Sequence, residues 1–424
     1  MHATKATIIT IGDELLIGQI IDTNSAWIAQ QLNQIGIDVI RRVAIADSKE
    51  AIVSALNAEL QDADIILLTG GLGPTADDVT KPVLCDFFGG KLIVNEEVLA
   101  HVKNIFLRRN RPLLERNLKQ AEVPDVCTVI PNELGTAPGM LFEQKGKMII
   151  SMPGVPFEMK GMMTATLLPL FEKRFQKSNA IVHRNILTFG EGESFLAEKI
   201  KDIEEALPAH IGLAYLPSPY AVKLRLTAHG QDEATLIIET EQYRDAIADR
   251  VANHVVGFED SPFEALVGKS LNEKKLSLGL AESCTGGYIA HKITQIPGSS
   301  QYFKGAVVCY ATEIKSGILG IDAAFIKEHG VVSEAVAIAM AEASCTTLKS
   351  DIGLGITGIF SASDYEDKSP VGTVFIAIAG KGKTLSRQYK MHYDRIQNKE
   401  TATQIALYMI WEFLNKTLKE VEDK

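Results

Sequence analysis

Two kinds of apolar pattern alternate along the first 175 residues. Four short apolar runs lack a helical period and predict strands, at Ala6–Ile11, Ile37–Val43, Asp64–Leu68 and Lys147–Met152. Apolar residues three and four apart predict helices between them, over Thr23–Ile35, Ser48–Leu60, Val79–Phe87 and Phe157–Phe175. Because strand and helix alternate, we predict an α/β fold whose doubly wound, mostly parallel sheet is covered by helices on both faces.

Loops rich in glycine follow two of these predicted strands. Gly12–Asp13–Glu14 follows the first strand, and Thr69-Gly-Gly-Leu-Gly-Pro-Thr-Ala-Asp-Asp-Val-Thr80 follows the third. Ligands of α/β sheets bind beyond the carboxyl ends of the strands, where backbone amides can hold phosphate. We therefore expect phosphate binding through Gly12, Gly70, Gly71, Gly73 and Thr75. The alternative is an ordinary tight turn with an N-capping aspartate.

Carboxylates stand beside both loops. They would repel a bare phosphate unless a divalent cation lay between them, and oxygen ligands suit such a cation. We expect Asp78, Asp77 and Glu14 to hold a divalent metal of unknown identity. A third glycine loop, Asn132–Gly139, is interpreted equally well as a plain turn or as a pocket rim shared with the Thr69–Thr80 loop.

The middle of the chain has a different pattern of predicted strands and helices. Strands are predicted at Ile181–Thr188, Ile211–Leu216 and Ala221–Ala228, with helices ending near Leu207 and covering Glu233–Val251. The residues form no chemical cluster, and the isolated histidines are interpreted as surface or packing residues. We predict a small α+β spacer and place the domain boundaries at 1–176, 177–258 and 259–424.

A second chemical centre is predicted after the strand Leu276–Leu280. Ser283 lies at a strand-to-helix turn in Ala281-Glu-Ser-Cys-Thr-Gly-Gly287, where helix donors could stabilise an oxyanion. The alternative is an N-cap serine with glycines for close packing. Cys284 is a competing nucleophile.

A serine nucleophile needs a base, and the residues after the strand Gly305–Val308 offer one. Lys315 can lose its proton when desolvated, and Tyr310 can relay that proton or orient the serine. Because they are five residues apart, both face one cavity only if the turn between them is irregular. The alternative is a surface lysine and a half-buried tyrosine. His291 and His329 are candidates only by elimination.

Composition and charge narrow the class of protein. The chain has 424 residues, 46% hydrophobic and 23% charged, which is typical of a soluble globular protein with two or three domains. The net charge of −10 argues against non-specific binding of nucleic acid. Five scattered cysteines without a C-x-x-C pair give no zinc signature and indicate reduced thiols. No apolar run approaches a membrane span, and Met1–Ala6 lacks signal-peptide features, so we expect a cytoplasmic protein.

The N-terminal motifs resemble those of the CinA family (competence/damage-inducible protein A). The resemblance rests on Gly12–Glu14, Gly18, Asp22–Asn24, Thr69–Thr80, Gly135–Gly139 and Met152–Pro156. It implies a molybdopterin-binding-like domain, which in some members is associated with metal-dependent hydrolysis of ADP-ribose. Ala76 stands where many relatives have histidine. The middle region is similar to a KH-type linker but lacks the Gly-x-x-Gly loop of RNA-binding KH modules, so no nucleic-acid partner is expected.

The C-terminal motifs resemble the amidase domain of the same family. They are Glu282–Gly287, Pro297–Ser300, Tyr310 with Lys315, His329–Ser333, Thr357–Ile359 and Ser369–Thr373. The resemblance implies hydrolysis of nicotinamide mononucleotide to nicotinate mononucleotide and ammonia, without metal or redox cofactor. It implies catalytic roles for Ser283, Lys315 and Tyr310. Substrate binding is implied for Thr285, Gly286, Gly287, Thr357, Gly358, Gly372, Thr373 and Arg395.

This chain departs from the family pattern after Ile359. Phe360–Lys368, which includes Asp364, Glu366 and Asp367, replaces a glycine-rich loop. The apolar stripe of the closing helix, Lys399–Leu414, is interpreted as core, and a homodimer is expected because such domains often pair about a two-fold axis.

Three functions stay open from the sequence. The first is a hydrolase with two sites, one for nicotinamide mononucleotide and one for ADP-ribose. The second is a protein that binds a nucleotide or pterin without turnover, with an inactive C-terminal domain. The third is a competence or DNA-processing factor, which the acidic balance makes the weakest of the three.

Overall fold

The structure of the chain is a computed structural model that describes residues 4–75, 78–175, 180–361 and 370–418. The chain forms two compact units, residues 1–182 with 227–239 and residues 183–226 with 240–424. Over the described ranges, no helix is both long and apolar enough to cross a membrane.

The first sheet contains the predicted N-terminal strands. Its strands are β1 (Lys5–Ile11), β2 (Asp38–Ile45), β3 (Ile65–Thr69), β6 (Thr128–Ile130), β7 (Gly139–Gln144) and β8 (Lys147–Met152), and a separate pair is formed by β4 (Leu92–Val94) and β5 (Glu122–Pro124). The order is β2-β1-β3-β8-β7-β6. The four strands β2, β1, β3 and β8 run parallel, and β7 and β6 are antiparallel additions. The prediction of a mostly parallel sheet is confirmed.

Helices cover both faces of this sheet. Those that bury residues in its two apolar clusters are α2 (Thr23–Gln34), α3 (Lys49–Asp62), α4 (Thr80–Phe87), α7 (Pro156–Met162) and α8 (Leu168–Arg174). The same part of the chain also contains α1 (Asp13–Leu16), α5 (Glu96–Arg108) and α6 (Glu115–Leu118). Neighbouring side chains of β1 point to opposite faces, so Ile8 joins the apolar cluster under α2 and α7 while Ile9 joins the cluster under α3 and α4. A π-helical turn at Met163–Leu167 interrupts the single helix predicted over Phe157–Phe175.

Residues 180–257 form the predicted α+β region. The strands are β9 (Ala180–Phe189), β10 (Ile211–Ser218), β11 (Ala221–Gly230) and β12 (Val255–Gly257), and the helices are α9 (Glu193–Glu205) and α10 (Glu233–Arg250). The order is β10-β11-β9-β12. The sequence did not predict β12, because three residues are too few to show a period.

The C-terminal sheet carries the second chemical centre. Its strands are β13 (Leu278–Glu282), β14 (Phe303–Val308), β15 (Ile352–Gly358), β16 (Thr373–Gly380) and β17 (Lys383–Lys390). The helices are α11 (Phe263–Glu273), α12 (Tyr288–Thr294), α13 (Thr312–Gly317), α14 (Ala323–His329), α15 (Glu334–Leu348) and α16 (Arg395–Glu412). The order is β14-β13-β15-β16-β17, and β13 is parallel to both of its neighbours.

Two details of this sheet matter for the site. The predicted strand Leu276–Leu280 begins two residues too early, because the Leu276 N–H still donates to Leu271 O in the C-terminal turn of α11. Helix α15 packs very closely on β15, since a Cβ at Gly355 would lie 2.2 Å from the Ala337 carbonyl oxygen. This contact fixes the strand that ends beside the predicted serine.

Candidate active site

Three neighbouring parallel strands of the C-terminal sheet end at one edge. Glu282, the last residue of β13, is in register with Val308 of β14 and Ile356 of β15. The residues that follow these three positions are Ser283, Cys309 and Thr357. Because parallel strands end at the same edge, the predicted nucleophile lies where α/β sheets bind ligands.

Ser283 and Lys315 meet at this edge. Lys315 Nζ lies 3.2 Å from Ser283 Oγ and donates to the Cys309 carbonyl oxygen at 2.8 Å. The Lys315 side chain is fully buried, at 0% exposure. This burial lowers the pKa of the ammonium group, although the nearby Cys309, Cys284 and Glu313 act in the opposite direction. A lysine held in this way can give up a proton and present a lone pair to the serine hydroxyl.

A buried carboxylate organises the turn after Ser283. Glu282, at 0% exposure, accepts hydrogen bonds from Thr285 Oγ1 at 2.8 Å and from the amides of Gly287, Ile289 and Ala290 at 2.9–3.1 Å. This corrects the expectation that the first amides of α12 face an oxyanion, because Glu282 already binds them. The Thr285 hydroxyl and the Gly287 amide, which were predicted to bind substrate, both donate to Glu282 inside the turn. Sequence reasoning missed the role of Glu282.

Two amides of the turn, Cys284 N and Thr285 N, make no backbone hydrogen bond in the described parts of the chain. Ser283 N donates to Ile356 O and Gly286 N donates to Ser283 O, each at 3.1 Å. Of the two amides without a backbone acceptor, that of Cys284 directly follows Ser283 and is the candidate oxyanion donor. Burial raises the pKa of the Cys284 thiol to about 12, so the thiol stays protonated and is a poor competitor for Ser283.

A cavity of about 350 Å³ opens beside Ser283. Val331, Val332, Ile359 and Phe360 give it apolar walls, and Arg395 is the charged group among its described lining residues. Of the predicted substrate residues, Thr357, Gly358 and Arg395 line this cavity, and Thr285, Gly286, Gly287, Gly372 and Thr373 do not. His291 and His329 are also absent from the lining.

Gly372 supports the cavity from behind. Its N–H donates to Ile359 O at 2.6 Å, and a Cβ there would lie 2.2 Å from the Met391 carbonyl oxygen. Thr373 N donates to Pro370 O at 3.1 Å, so this segment holds the wall without facing the cavity. The preceding segment, residues 362–369 with Asp364, Glu366 and Asp367, lies outside the described residues.

Tyr310 lines the cavity at its exposed side. The residue precedes α13, so the five-residue spacing from Lys315 includes non-helical backbone at Ala311. Lys315 itself is not among the described residues that line the cavity. The Tyr310 hydroxyl accepts a hydrogen bond from Arg395 Nη2 at 2.6 Å. In the described parts of the chain it bonds to neither Ser283 nor Lys315, so the geometry does not connect it to proton transfer.

In the N-terminal unit, the backbone amides of the glycine loops donate hydrogen bonds to acceptors of the protein itself. Gly73 N and Thr75 N donate to the Asp78 carboxylate at 2.7 and 2.9 Å, and Gly70 N and Gly12 N donate to Met152 O and Ile45 O, both at 3.1 Å. Asp78 thus occupies the position expected for a phosphate. This arrangement favours the alternative of an aspartate-capped turn. A Cβ at the fifth predicted phosphate residue, Gly71, would lie 2.1 Å from Thr80 Oγ1, so this glycine serves close packing.

Carboxylates do approach one another near these loops. Asp47, which sequence reasoning missed, accepts from Asp13 N at 3.2 Å. Burial raises its pKa, and the nearby charges of Glu14, Asp13 and Asp78 raise it further. Within the described ranges, however, no three His, Cys, Asp or Glu side chains lie close enough to share a metal ion. The predicted ligand Asp77 and its neighbour Ala76 lie outside those ranges.

The third glycine loop lines a cavity of its own. The cavity, of about 240 Å³, is formed with Glu97 and His101 of α5. The loop is shaped by Asn132, whose Oδ1 accepts from Leu134 N and Gly135 N at 3.2 and 3.0 Å. No described lining residue of this cavity comes from the Thr69–Thr80 loop, so the rim shared by the two loops stays a prediction. A cavity of about 120 Å³ lined by Glu14, Asn24, Thr69 and Gly154 lies at the ends of β1, β3 and β8 instead.

Three family models match separate parts of the chain. Family models match for a probable molybdopterin-binding domain at residues 7–173, a damage-inducible protein CinA KH domain at 183–257 and the CinA C-terminal domain at 260–414. A CinA-like protein of Flavobacterium psychrophilum is 44% identical over 97% of this chain and 99% of its own length. A CinA-like protein of Cytophaga hutchinsonii is 41% identical over 98% and 99%. A solved structure of CinA from Thermoplasma acidophilum is 35% identical, covers 40% of this chain and 97% of its own, and has a TM-score of 0.36.

Proposed function

The chain belongs to the CinA family, and on that premise we propose that its C-terminal domain hydrolyses the carboxamide of nicotinamide mononucleotide. The products are nicotinate mononucleotide and ammonia. The observation that carries the proposal is the buried Lys315 amine 3.2 Å from Ser283 Oγ, beside a cavity whose described charged residue is Arg395.

The reaction follows from these contacts in two stages. Neutral Lys315 takes the Ser283 proton while Oγ attacks the amide carbon, and the Cys284 N–H stabilises the negative charge on the carbonyl oxygen. Lys315 then gives the proton to the departing nitrogen, which leaves as ammonia. Water attacks the resulting ester with Lys315 as base, the proton returns to Ser283 Oγ, and nicotinate mononucleotide leaves.

The cavity suits the two ends of this substrate. Its apolar walls, which include Val331 and Phe360, match a flat aromatic ring next to the buried serine. Arg395 is exposed at the other side, where its guanidinium can bind a phosphate through two donors. An aromatic amide with an anionic tail therefore complements both the buried and the exposed parts.

The test is to incubate the purified chain with nicotinamide mononucleotide and to follow both products. Ammonia and nicotinate mononucleotide must appear in equal amounts, and a chelator must leave the rate unchanged because this domain's proposed chemistry uses no metal. Nicotinamide, which lacks the ribose phosphate, serves as the control substrate and should react far more slowly. Absence of both products with nicotinamide mononucleotide would overturn the proposal and favour the non-catalytic alternative.

For the N-terminal unit we propose the binding of ADP-ribose or a related nucleotide. The observation that favours it is Asn24, 9% exposed, whose side-chain oxygen has no hydrogen-bond partner in the described parts of the chain. Asn24 lines the small cavity with Glu14, and a ribose hydroxyl or an amino group would satisfy its oxygen. The described carboxylates do not assemble a metal site, so no hydrolytic step is assigned there.

Thermal denaturation with ADP-ribose tests this second proposal, with and without Mg²⁺. A raised melting temperature without AMP indicates binding alone, whereas Mg²⁺-dependent AMP indicates the pyrophosphatase implied by the family resemblance. An unchanged melting temperature and no AMP would exclude both. A homodimer stays a prediction, and salt-sensitive binding of DNA would be needed to support a role in DNA processing.

A further inference from the structure

The guanidinium of Arg395 lies between two neutral hydroxyls. Arg395 Nη1 donates to Ser361 Oγ at 3.1 Å and Nη2 donates to Tyr310 OH at 2.6 Å. In the described parts of the chain Arg395 has no carboxylate partner: the adjacent Asp394 instead caps α16, accepting from Ile396 N and Gln397 N at 2.8 and 2.9 Å. The guanidinium is therefore not paired with a described carboxylate, and its remaining donors can bind an anion.

The side chain of Asn398 bonds to the backbone near both Arg395 and Ser361. Asn398, buried at 1% exposure, donates through Nδ2 to Phe360 O at 3.2 Å and to Tyr393 O at 2.7 Å. These bonds tie the start of α16 to the residue before Ser361. They help to hold Arg395 close to Ser361.

Tyr310 belongs to the exposed end of the cavity. Its side chain is 59% exposed, whereas Ser283 and Lys315 are buried. A proton relay needs a hydrogen bond to the serine or the lysine, and the Tyr310 hydroxyl is instead bonded to Arg395. A hydroxyl and a guanidinium side by side present several donors to one phosphate.

We propose that Tyr310 and Ser361 position Arg395 as the binding group for the substrate's phosphate monoester, and that Tyr310 takes no part in proton transfer. The proposal rests on the proposed amidase function. Ser361 belongs to the stretch in which this chain departs from the family pattern, so this is a feature of the chain itself.

Steady-state kinetics with two substrates show whether Tyr310 acts in phosphate binding or in proton transfer. Nicotinamide riboside carries the same amide as nicotinamide mononucleotide but no phosphate. For Tyr310→Phe and Ser361→Ala we expect the KM for the mononucleotide to rise about 3–10-fold, from the loss of one hydrogen bond, with kcat within about twofold. The KM for the riboside and the pH profile of kcat should not move.

Tyr393→Phe is the matched control. Tyr393 is an exposed tyrosine two residues before Arg395, and its hydroxyl makes no hydrogen bond in the described parts of the chain. We expect no change in either substrate's kinetics. If Tyr310→Phe lowers kcat tenfold or more on both substrates, or moves the pH profile, Tyr310 is a proton relay and the proposal is wrong.

Equilibrium binding of nicotinamide mononucleotide tests the phosphate site even if the chain has no amidase activity. Should the wild-type chain release no ammonia, calorimetric titration with nicotinamide mononucleotide still measures the phosphate contact. Weaker binding by Arg395→Ala, Tyr310→Phe and Ser361→Ala, with Tyr393→Phe unchanged, would support the anion site in a protein without turnover. Unchanged binding by all three variants would overturn it.

Discussion

Lys315 Nζ lies 3.2 Å from Ser283 Oγ although 32 residues separate them along the chain. The contact exists because β13 and β14 are parallel neighbours, so the loops after both strands start at one edge of the sheet. Lys315 reaches back from α13 to the turn after β13, and its other contact, Cys309 O, is at the end of β14. A nucleophile and its base are thereby held together by backbone topology.

The rate of ammonia release should rise with pH. Only neutral Lys315 can accept the serine proton, and burial lowers its pKa from the ordinary value of about 10.4. The protonated form dominates at low pH and the neutral form gains as pH rises, so the rising limb of kcat/KM must lie below pH ~10.4. Measuring kcat/KM from pH 5 to 10 checks this, and a rate that falls steadily over that range would contradict it.

Glu282→Gln should lower kcat more than it raises KM. The amide keeps the shape but places an NH2 group against N–H donors that now bind a carboxylate. We expect kcat to fall about 10–100-fold because the nucleophile turn shifts. The free energy of unfolding should fall by about 1–3 kcal/mol.

Steady-state kinetics and urea denaturation measure these two effects. Glu328→Gln, an exposed glutamate on α14, is the control and should change neither. Unchanged kcat in a Glu282→Gln protein of lowered stability would reduce Glu282 to a purely structural role.

Cys284→Ala should keep most of the activity. The Cys284 thiol is protonated at neutral pH because burial raises its pKa to about 12. For the same reason, iodoacetamide at pH 7.5 should not inactivate the wild type by alkylating Cys284. Peptide mass spectrometry after alkylation checks the second point. Loss of activity together with labelling of Cys284 would make the cysteine, and not Ser283, the nucleophile.

Gly355→Ala should destabilise the C-terminal unit. The added Cβ would lie 2.2 Å from Ala337 O and 2.6 Å from Ala341 N, which forces α15 away from β15. We expect the free energy of unfolding to fall by about 1–3 kcal/mol. Gly212→Ala in β10 is the control, because nothing lies within 4 Å of its Cβ position. Equal melting temperatures of the two variants would contradict this account of the packing.

The sequence alone predicted those secondary-structure elements that show a short-range repeat of apolar residues. The strand-length apolar runs and helical spacings predicted most elements of the N-terminal sheet, because alternation along β1 directly determines which face each side chain covers. The turn glycines after β13 made Ser283 a candidate nucleophile, and the position of Lys315 after the neighbouring strand made it a candidate base. The pattern left a capping serine and a surface lysine open as alternatives, and the resemblance to the family's amidase domain decided between them.

Contacts over long separations could not be predicted. Glu282 is adjacent to Ser283, but nothing in the pattern shows that its carboxylate turns inward onto the amides of α12. Tyr310 and Arg395 are 85 residues apart, so their hydrogen bond depends on the sheet order. Asp78 and Gly73 belong to the same loop, and the Gly73 amide donates to the Asp78 carboxylate. The sequence cannot show whether this carboxylate binds its own loop or faces a metal, because the residues are the same in both cases.

The most direct measurement is the rate of ammonia release from nicotinamide mononucleotide by four purified proteins. They are the wild type, Ser283→Ala, Lys315→Met and the control Ser300→Ala, which changes an exposed serine. If Ser283 is the nucleophile and Lys315 its base, the first two variants lose at least about 1,000-fold in kcat, and the control equals the wild type. A Ser283→Ala protein that releases ammonia as fast as the wild type would contradict the account.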